Sequence, residues 1–350
     1  MGIIDADAHV FENPRTWEYL QEGERQFTPR MVEQVYGNDR HGLAGNLWKR
    51  YWLIDGKVHG IEGNINIKID KPLRDLEDVE ARIADMDRLG IDIQVIYPSL
   101  FLHPYTKNQR MEYALTRSYN CWMADNWKKG KGRLRWVAVM PTMQIAKARE
   151  QIEFAHDNGA CGVLLHGVEL DKMLSDPYFF PLYEKVNELG SAICVHAGYY
   201  SFTFGQVFEG TGGLLQFRYP VIAAFHTLMM QNIPSQFPNI RWGFMEAGCQ
   251  WIPMAIQDLA VRYRELLDEE LPGNLFAERN VFVTCQADDD VPYVLKFAGE
   301  DALVVGTDYS HFDHAADMDA FAHLKDQSGL PATVVGKILS DNPRKLYALD

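Results

Sequence analysis

The sequence predicts an α/β fold, a distorted (β/α)8 (TIM) barrel with a long insertion after its first strand. Two observations carry this. Eight short apolar runs rich in Val and Ile recur along the 350 residues, each ending in a polar residue or a Pro/Gly break, and a helix-like stretch follows each run. Continuous apolar strands alternating with helices mean a parallel sheet covered by helices. Eight such units favour a closed barrel over an open sheet.

The runs are Ile3–His9, Ile91–Tyr97, Arg135–Met140, Gly162–His166, Ala192–His196, Ile240–Glu246, Val281–Cys285 and Leu303–Asp308. The amphipathic stretches between and after them are 78–89, 109–128, 144–158, 178–189, 220–237, 251–268, 291–299 and 314–325. Pro331–Leu349 reads as one or two closing helices. Residues 20–77 break the pattern. They are rich in Gly, Trp and charged residues and include Trp48-Lys49-Arg50-Tyr51-Trp52. A structureless loop of that length is unusual, so local structure is expected. Because the insertion follows the first strand, it is expected over the mouth of the barrel. The length alone favours two domains. An enlarged barrel accounts for it as one, so residues 1–350 are read as a single domain.

Hydrophobic residues make up 47% of the chain and charged residues 23%, enough for a large core. The net charge of −14 argues against nucleic acid or an anionic membrane as partner. A small-molecule substrate and a homo-oligomer are expected. The start of the chain has no basic region followed by an apolar stretch, and no run reaches membrane-spanning length. The five cysteines are widely spaced with no CxxC pair. A reducing cytoplasm without disulfides is therefore expected.

In such a barrel the active site is built from the C-terminal ends of the strands. The first run contains Asp7-Ala8-His9, and residues two apart on a strand share a face. The fourth ends at His166, the fifth at His196, the sixth at Glu246 and the eighth at Asp308. Taken singly, a histidine at a strand end is more often a structural hydrogen-bonder, and an Asp such as Asp308 commonly caps the next helix. Taken together they differ. Unpaired carboxylates at one mouth repel and resist burial, whereas imidazoles and carboxylates converging there suit a divalent metal. Arg50 and Arg218 are candidates for pairing with a substrate carboxylate, and His166 for a further substrate contact. Trp48, Tyr51, Trp52, Tyr97, Phe101, Tyr199, Tyr200 and Phe202 are candidates for an aromatic pocket.

The order Ile4-Asp5-Ala6-Asp7-Ala8-His9, Val195-His196-Ala197-Gly198, Phe244-Met245-Glu246-Ala247-Gly248, Gly306-Thr307-Asp308-Tyr309 and Ser340-Asp341-Asn342-Pro343-Arg344 resembles the amidohydrolase superfamily. More narrowly, it resembles the branch containing aminocarboxymuconate semialdehyde, resorcylate and carboxyvanillate decarboxylases. The resemblance spans essentially the whole chain. It implies a divalent metal, Zn or Mn, held by Asp7, His9, His196 and Asp308. It also implies a decarboxylase or hydrolase acting on a small carboxylated or aromatic compound. Three departures stand out. The first ligand position is Asp7, where many hydrolytic members have His, and the fourth run ends in His166 with no lysine to bridge two metals. Glu246 occupies the place where the decarboxylases carry an acid/base histidine. Glu246 and Asp308 are therefore the candidate catalytic groups, with His226 a further one from the stretch 220–237. Carboxylate-rich ligation also admits an alternative, two ions including Fe that activate oxygen, with His166, His226 or His311 as extra donors. A third reading is a non-catalytic partner subunit of an active paralogue in a hetero-oligomer.

Overall fold

The computed structural model describes residues 2–36, 47–60, 65–211, 213–327 and 329–349. Eight parallel strands follow one another around the sheet in chain order. They are β1 (Ile4–Val10), β2 (Ile93–Pro98), β3 (Leu134–Val139), β4 (Ala160–His166), β5 (Ala192–His196), β6 (Arg241–Met245), β7 (Val281–Cys285) and β8 (Leu303–Val305). β1 is buried along its whole length, as a strand enclosed on both faces must be. Helices cover the outside, including Val79–Leu89, Gln109–Lys129, Ile145–Asp157 and Phe180–Leu189. Asp78 caps the first of these by accepting from Ala81 N, and Gly90 ends it in a left-handed conformation. The fold is therefore the TIM-barrel-like α/β fold that the eight-run pattern predicts. Among the described residues no helix is long and apolar enough to cross a membrane.

The differences from the sequence pattern have local causes. The last run is expected to reach Asp308, yet β8 ends at Val305. Asp308 and Ser310 take left-handed backbone conformations (φ 49° and 86°), which break the ladder. The barrel instead closes through single backbone hydrogen bonds, His9 N to Tyr309 O at 2.8 Å and Asp308 N to Asp7 O at 2.9 Å. The stretch 314–325 forms a helix only over Ala320–Asp326. Before it, the carboxylates of Asp313 and Asp317 accept from Ala315 N and Asp319 N, a local turn chemistry that competes with helix. Asn232, at φ 51°, interrupts the stretch 220–237 after Met230.

Within the insertion lies a three-stranded antiparallel sheet, Arg30–Tyr36, Leu47–Ile54 and Lys57–Gly60. Residues 37–46 and 61–64, and the side chain of Trp48, lie outside the described residues. Beyond the sheet, Asn66 N donates to Ser310 O at 2.9 Å, so the insertion returns to the loop after β8. At the chain's end Tyr347 Oη donates to Ala6 O at 2.7 Å, fastening the helix Asn342–Tyr347 to β1.

Gly306 lets β1 and the end of β8 approach closely. A Cβ there would lie 2.4 Å from Asp7 Cβ and 2.7 Å from Asp7 N and O. Gly306→Ala is expected to cost about 1–3 kcal/mol or more, as overpacking does where the neighbour is backbone. Urea denaturation of the variant checks this, and an unchanged midpoint refutes it.

Candidate metal centre

The strand ends bring together Asp7 and His9 from β1, His196 from β5 and Glu246 just past β6, with Asp308, His311 and Asp313 in the loop after β8. Glu246 and Asp308 both occupy left-handed backbone conformations (φ 58° and 49°). Such conformations are uncommon for these residue types and cluster at functional sites. Glu246 is held there by its N–H donating to Thr284 Oγ1 at 2.7 Å.

Three histidines are oriented in the same way. His9 Nδ1 donates to Pro98 O at 2.9 Å and His196 Nδ1 to Ala197 O at 3.0 Å, while His311 Nε2 meets Ser99 Oγ at 2.8 Å. Each ring thus fixes one nitrogen on the protein and turns the other toward the carboxylates, as outer-shell hydrogen bonds do for metal-ligating imidazoles. His9 Nε2 lies 3.3 Å from Asp308 Oδ1 and 3.5 Å from Asp7 Oδ1. His196 Nε2 lies 3.3 Å from Asp7 Oδ1, and His311 Nδ1 lies 2.8 Å from Asp308 Oδ1.

The donor atoms form three overlapping groups, each within 4.8 Å: Asp7, His9, His196; His9, Asp308, His311; and Glu246, Asp308, His311, Asp313. His9 Nε2, both Asp308 carboxylate oxygens and His311 Nδ1 are buried and make no hydrogen bond. Leaving several converging polar atoms without partners is costly, and a divalent cation would satisfy them together. The donor set therefore fits such an ion.

Charge tells the same story. Burial acts to raise the Asp7 carboxyl, but the charge and hydrogen bond of His196, with help from His9, hold it at about 2. Burial would lower His196, and Asp7 instead raises it to about 9. Asp308 is pushed well above the usual range by burial and by Glu246, Asp313 and Asp7. Burial raises Glu246 to about 8, against the opposing pull of His196 and Arg218. Burial lowers His9, and lowers His311 well below the usual value. The carboxyls of Asp308 and Glu246 therefore lack compensating positive charge, which a bound cation would supply, while His9 and His311 are held toward the neutral form that ligates a metal.

Beside the cluster lies a cavity of about 700 Å3. Its walls include Trp52, Tyr199 and Phe217, and Glu246, His311 and Arg218 border it. Arg218 Nη2 donates to Gln286 Oε1 at 3.0 Å, which fixes the guanidinium at the wall. His59 and Val58 of the insertion line the same space.

Several sequence-predicted residues are placed elsewhere. His226 sits on the outer helix Tyr219–Met230 with Nε2 2.7 Å from Asp258 Oδ2. Phe225 and Leu228 take the buried face of that helix, which turns His226 outward and corrects its assignment as a catalytic group. His166 is also corrected as a substrate contact. Its Nδ1 meets Glu169 Oε1 at 2.8 Å and its Nε2 meets Phe101 O at 2.9 Å, so both nitrogens are used within the protein. Arg50 does not line the cavity, and its charge acts on Asp75. Of the aromatic candidates, Trp52 and Tyr199 line the cavity. Tyr97, Phe101 and Tyr200 are core residues, and Phe202 stacks with Lys57 and Lys107. Asp313 was not foreseen, because it lies in a loop five residues past the strand-end motif. The Asp308-x-x-His311 spacing was the available signal for the loop's share of the cluster.

A parallel barrel with imidazoles and carboxylates at the C-terminal ends of its strands is the architecture of a metal-dependent barrel enzyme. The amidohydrolase family model matches residues 4–349, and the chain belongs to that family. A divalent metal is expected for it. Similar solved structures include the following three. An amidohydrolase from Mycobacterium avium subsp. paratuberculosis K-10 has TM-score 0.77 and 16% identity, covering 100% of this chain and 98% of that one. A 2,6-dihydroxybenzoate decarboxylase from Rhizobium has TM-score 0.65 and 15% identity, covering 100% and 99%. A 5-carboxyvanillate decarboxylase from Novosphingobium aromaticivorans, complexed with manganese and 4-hydroxy-3-methoxy-5-nitrobenzoic acid, has TM-score 0.64 and 18% identity, covering 78% and 81%. No curated protein matches the chain.

Proposed function

We propose that this protein is a metal-dependent carboxy-lyase or hydrolase acting on a small aromatic or carboxylated compound, with decarboxylation as the leading reaction. The carrying observation is the set of buried, unpartnered donor atoms of His9, Asp308 and His311 beside the large cavity. Asp7, His9, His196 and Asp308 would hold the ion, Zn or Mn, and the manganese complex of the carboxyvanillate decarboxylase supports the second choice. A divalent cation there supplies Lewis-acid polarisation of a substrate oxygen or acidification of a water. The chain's own groups do the rest. Arg218, fixed by Gln286, pairs with a substrate carboxylate in bidentate fashion. Trp52, Tyr199 and Phe217 pack against a flat ring. Glu246 moves a proton at the reacting carbon or its leaving group. The insertion, through Trp52 and His59, walls off the mouth and limits water. The relatives named above lend no support to oxygen activation or to a non-catalytic partner subunit.

The test is metal analysis of the purified protein, followed by chelation, reconstitution with Zn or Mn, and a carbon dioxide release assay on hydroxylated benzoates. Stoichiometric metal and metal-restored turnover are expected. A protein that keeps no metal after desalting and reconstitution overturns the reading. Metal content above stoichiometry would draw Glu246 and Asp313 into the shell as ligands.

A further inference from the structure

We infer that Arg82 is a positioning residue for the metal centre, a buried clamp that keeps its two ligand-bearing segments in register. This rests on the metal reading above. Asp7 and His9 come from β1, and Asp308 and His311 from the loop after β8. Past Val305 no regular ladder joins these segments, and two left-handed residues interrupt the loop. Something besides the sheet must hold the separation between His9 and Asp308.

Arg82 lies on the helix Val79–Leu89 and is fully buried. Its donors reach four elements at once. Nε donates to Gln94 Oε1 at 2.8 Å on β2, and Nη2 to His9 O at 3.2 Å on β1. Nη1 donates to Leu73 O at 3.1 Å in the insertion and to Ser310 Oγ at 3.4 Å in the loop after β8. The guanidinium lies 3.5 Å from the centre of the Tyr309 ring, a stacked cation–π contact. The partners are tied in turn. Ser310 Oγ donates to the same His9 O at 2.9 Å, and Tyr309 Oη donates to Asp85 at 2.7 Å. Gln94 Nε2 donates to Asp5 Oδ2 at 2.9 Å, whose carboxylate also accepts from Thr307 N at 2.9 Å and Thr307 Oγ1 at 2.6 Å. One side chain therefore links the backbone of a candidate ligand, His9, to the loop that carries two others.

The choice of residue fits this task. Among the described residues no carboxylate pairs directly with Arg82, so its charge is met by carbonyls, an amide, a hydroxyl and an aromatic face. Burying an ion without a direct counter-ion is unfavourable unless its geometry is needed. A planar fork with donors in several directions that also stacks on a ring is available only from arginine. A lysine would bring charge without the fork.

The test loads wild type, Arg82→Lys and Arg82→Met with Co(II) and reads the d–d absorption, which reports ligand number and geometry. Affinity is measured by chelator competition. Ile152→Ala, a core change on the helix between β3 and β4, is the control for lowered stability alone. The Arg82 variants are expected to bind cobalt roughly 10–100-fold more weakly, the loss usual for outer-shell partners, with a changed spectrum. Arg82→Lys is expected to retain more affinity than Arg82→Met, and Ile152→Ala to keep the wild-type spectrum. If the Arg82 variants do not fold, Ser310→Ala removes one link alone and should shift the spectrum in the same sense. Wild-type affinity and spectrum in whichever of these variants folds overturn the proposal while leaving the metal reading intact. A wild type that binds no cobalt overturns both.

Discussion

Alanine at His196 or at Asp308 is expected to strip the metal and abolish turnover while the barrel still folds. Both side chains are buried at the cluster, and each supplies donor atoms to one or more of the three groups. The loss of affinity should exceed the roughly 10–100-fold that removing an outer-shell partner costs. The two variants should differ in the stability of the metal-stripped protein. Asp308 is a buried carboxyl crowded by Glu246, Asp313 and Asp7, so deleting it relieves desolvation and repulsion. The stripped Asp308→Ala protein should melt at or above the temperature of stripped wild type. His196 carries the charge that holds Asp7 at about 2, so His196→Ala leaves Asp7 buried without its main partner. That protein should melt lower. Metal analysis with thermal melts of all three stripped proteins decides it, and full metal occupancy in both variants would remove the assignment.

The strands were legible because a strand enclosed on both faces needs apolar residues without interruption, and such runs stand out from amphipathic helices. Asp7, His9, His196 and Asp308 were legible for the same reason, as polar residues in or at the ends of apolar runs. What followed the strands was not. The left-handed turns at Glu246 and Asp308 set where the next side chains point, and nothing in the runs announces a backbone reversal. Asp313 reaches the cluster through that turn although it reads as a surface acid, and His311, which the sequence offers only as an extra donor for a second ion, arrives by the same turn. His226 shows the opposite error. Its sequence distance from the sixth strand says nothing about which face of the helix it takes, and Phe225 and Leu228 claim the inner one. Arg82 was hidden because a charged residue in Val79-Glu80-Ala81-Arg82 matches the solvent face of an amphipathic helix. Its burial depends on acceptors from β1, β2, the insertion and the loop after β8, which only the folded chain brings together.

Glu246→Gln is expected to retain metal and lose turnover by roughly 10²–10⁴-fold, the contribution ascribed to a general acid/base. The carboxylate borders the cavity, its Oε2 lies 3.4 Å from His196 Nδ1, and its backbone is pinned by Thr284. It therefore sits at the edge of the first donor group, on the side where a substrate would lie. Burial raises it to about 8, toward the range in which a carboxyl can serve as a proton donor near neutral pH. Glutamine keeps the shape and the hydrogen bonding and removes the transferable proton, which makes the substitution specific to that role. The competing role is ligation of a second ion with Asp308, His311 and Asp313. In that case the carboxylate must stay ionised, and the amide should cost metal as well as activity. Metal content and kcat measured on the same preparation separate the two. Retained metal with lost turnover supports proton transfer, and a fall in metal per chain supports ligation. Near-normal turnover with unchanged metal would leave Glu246 a structural residue of the turn after β6 and defeat both roles.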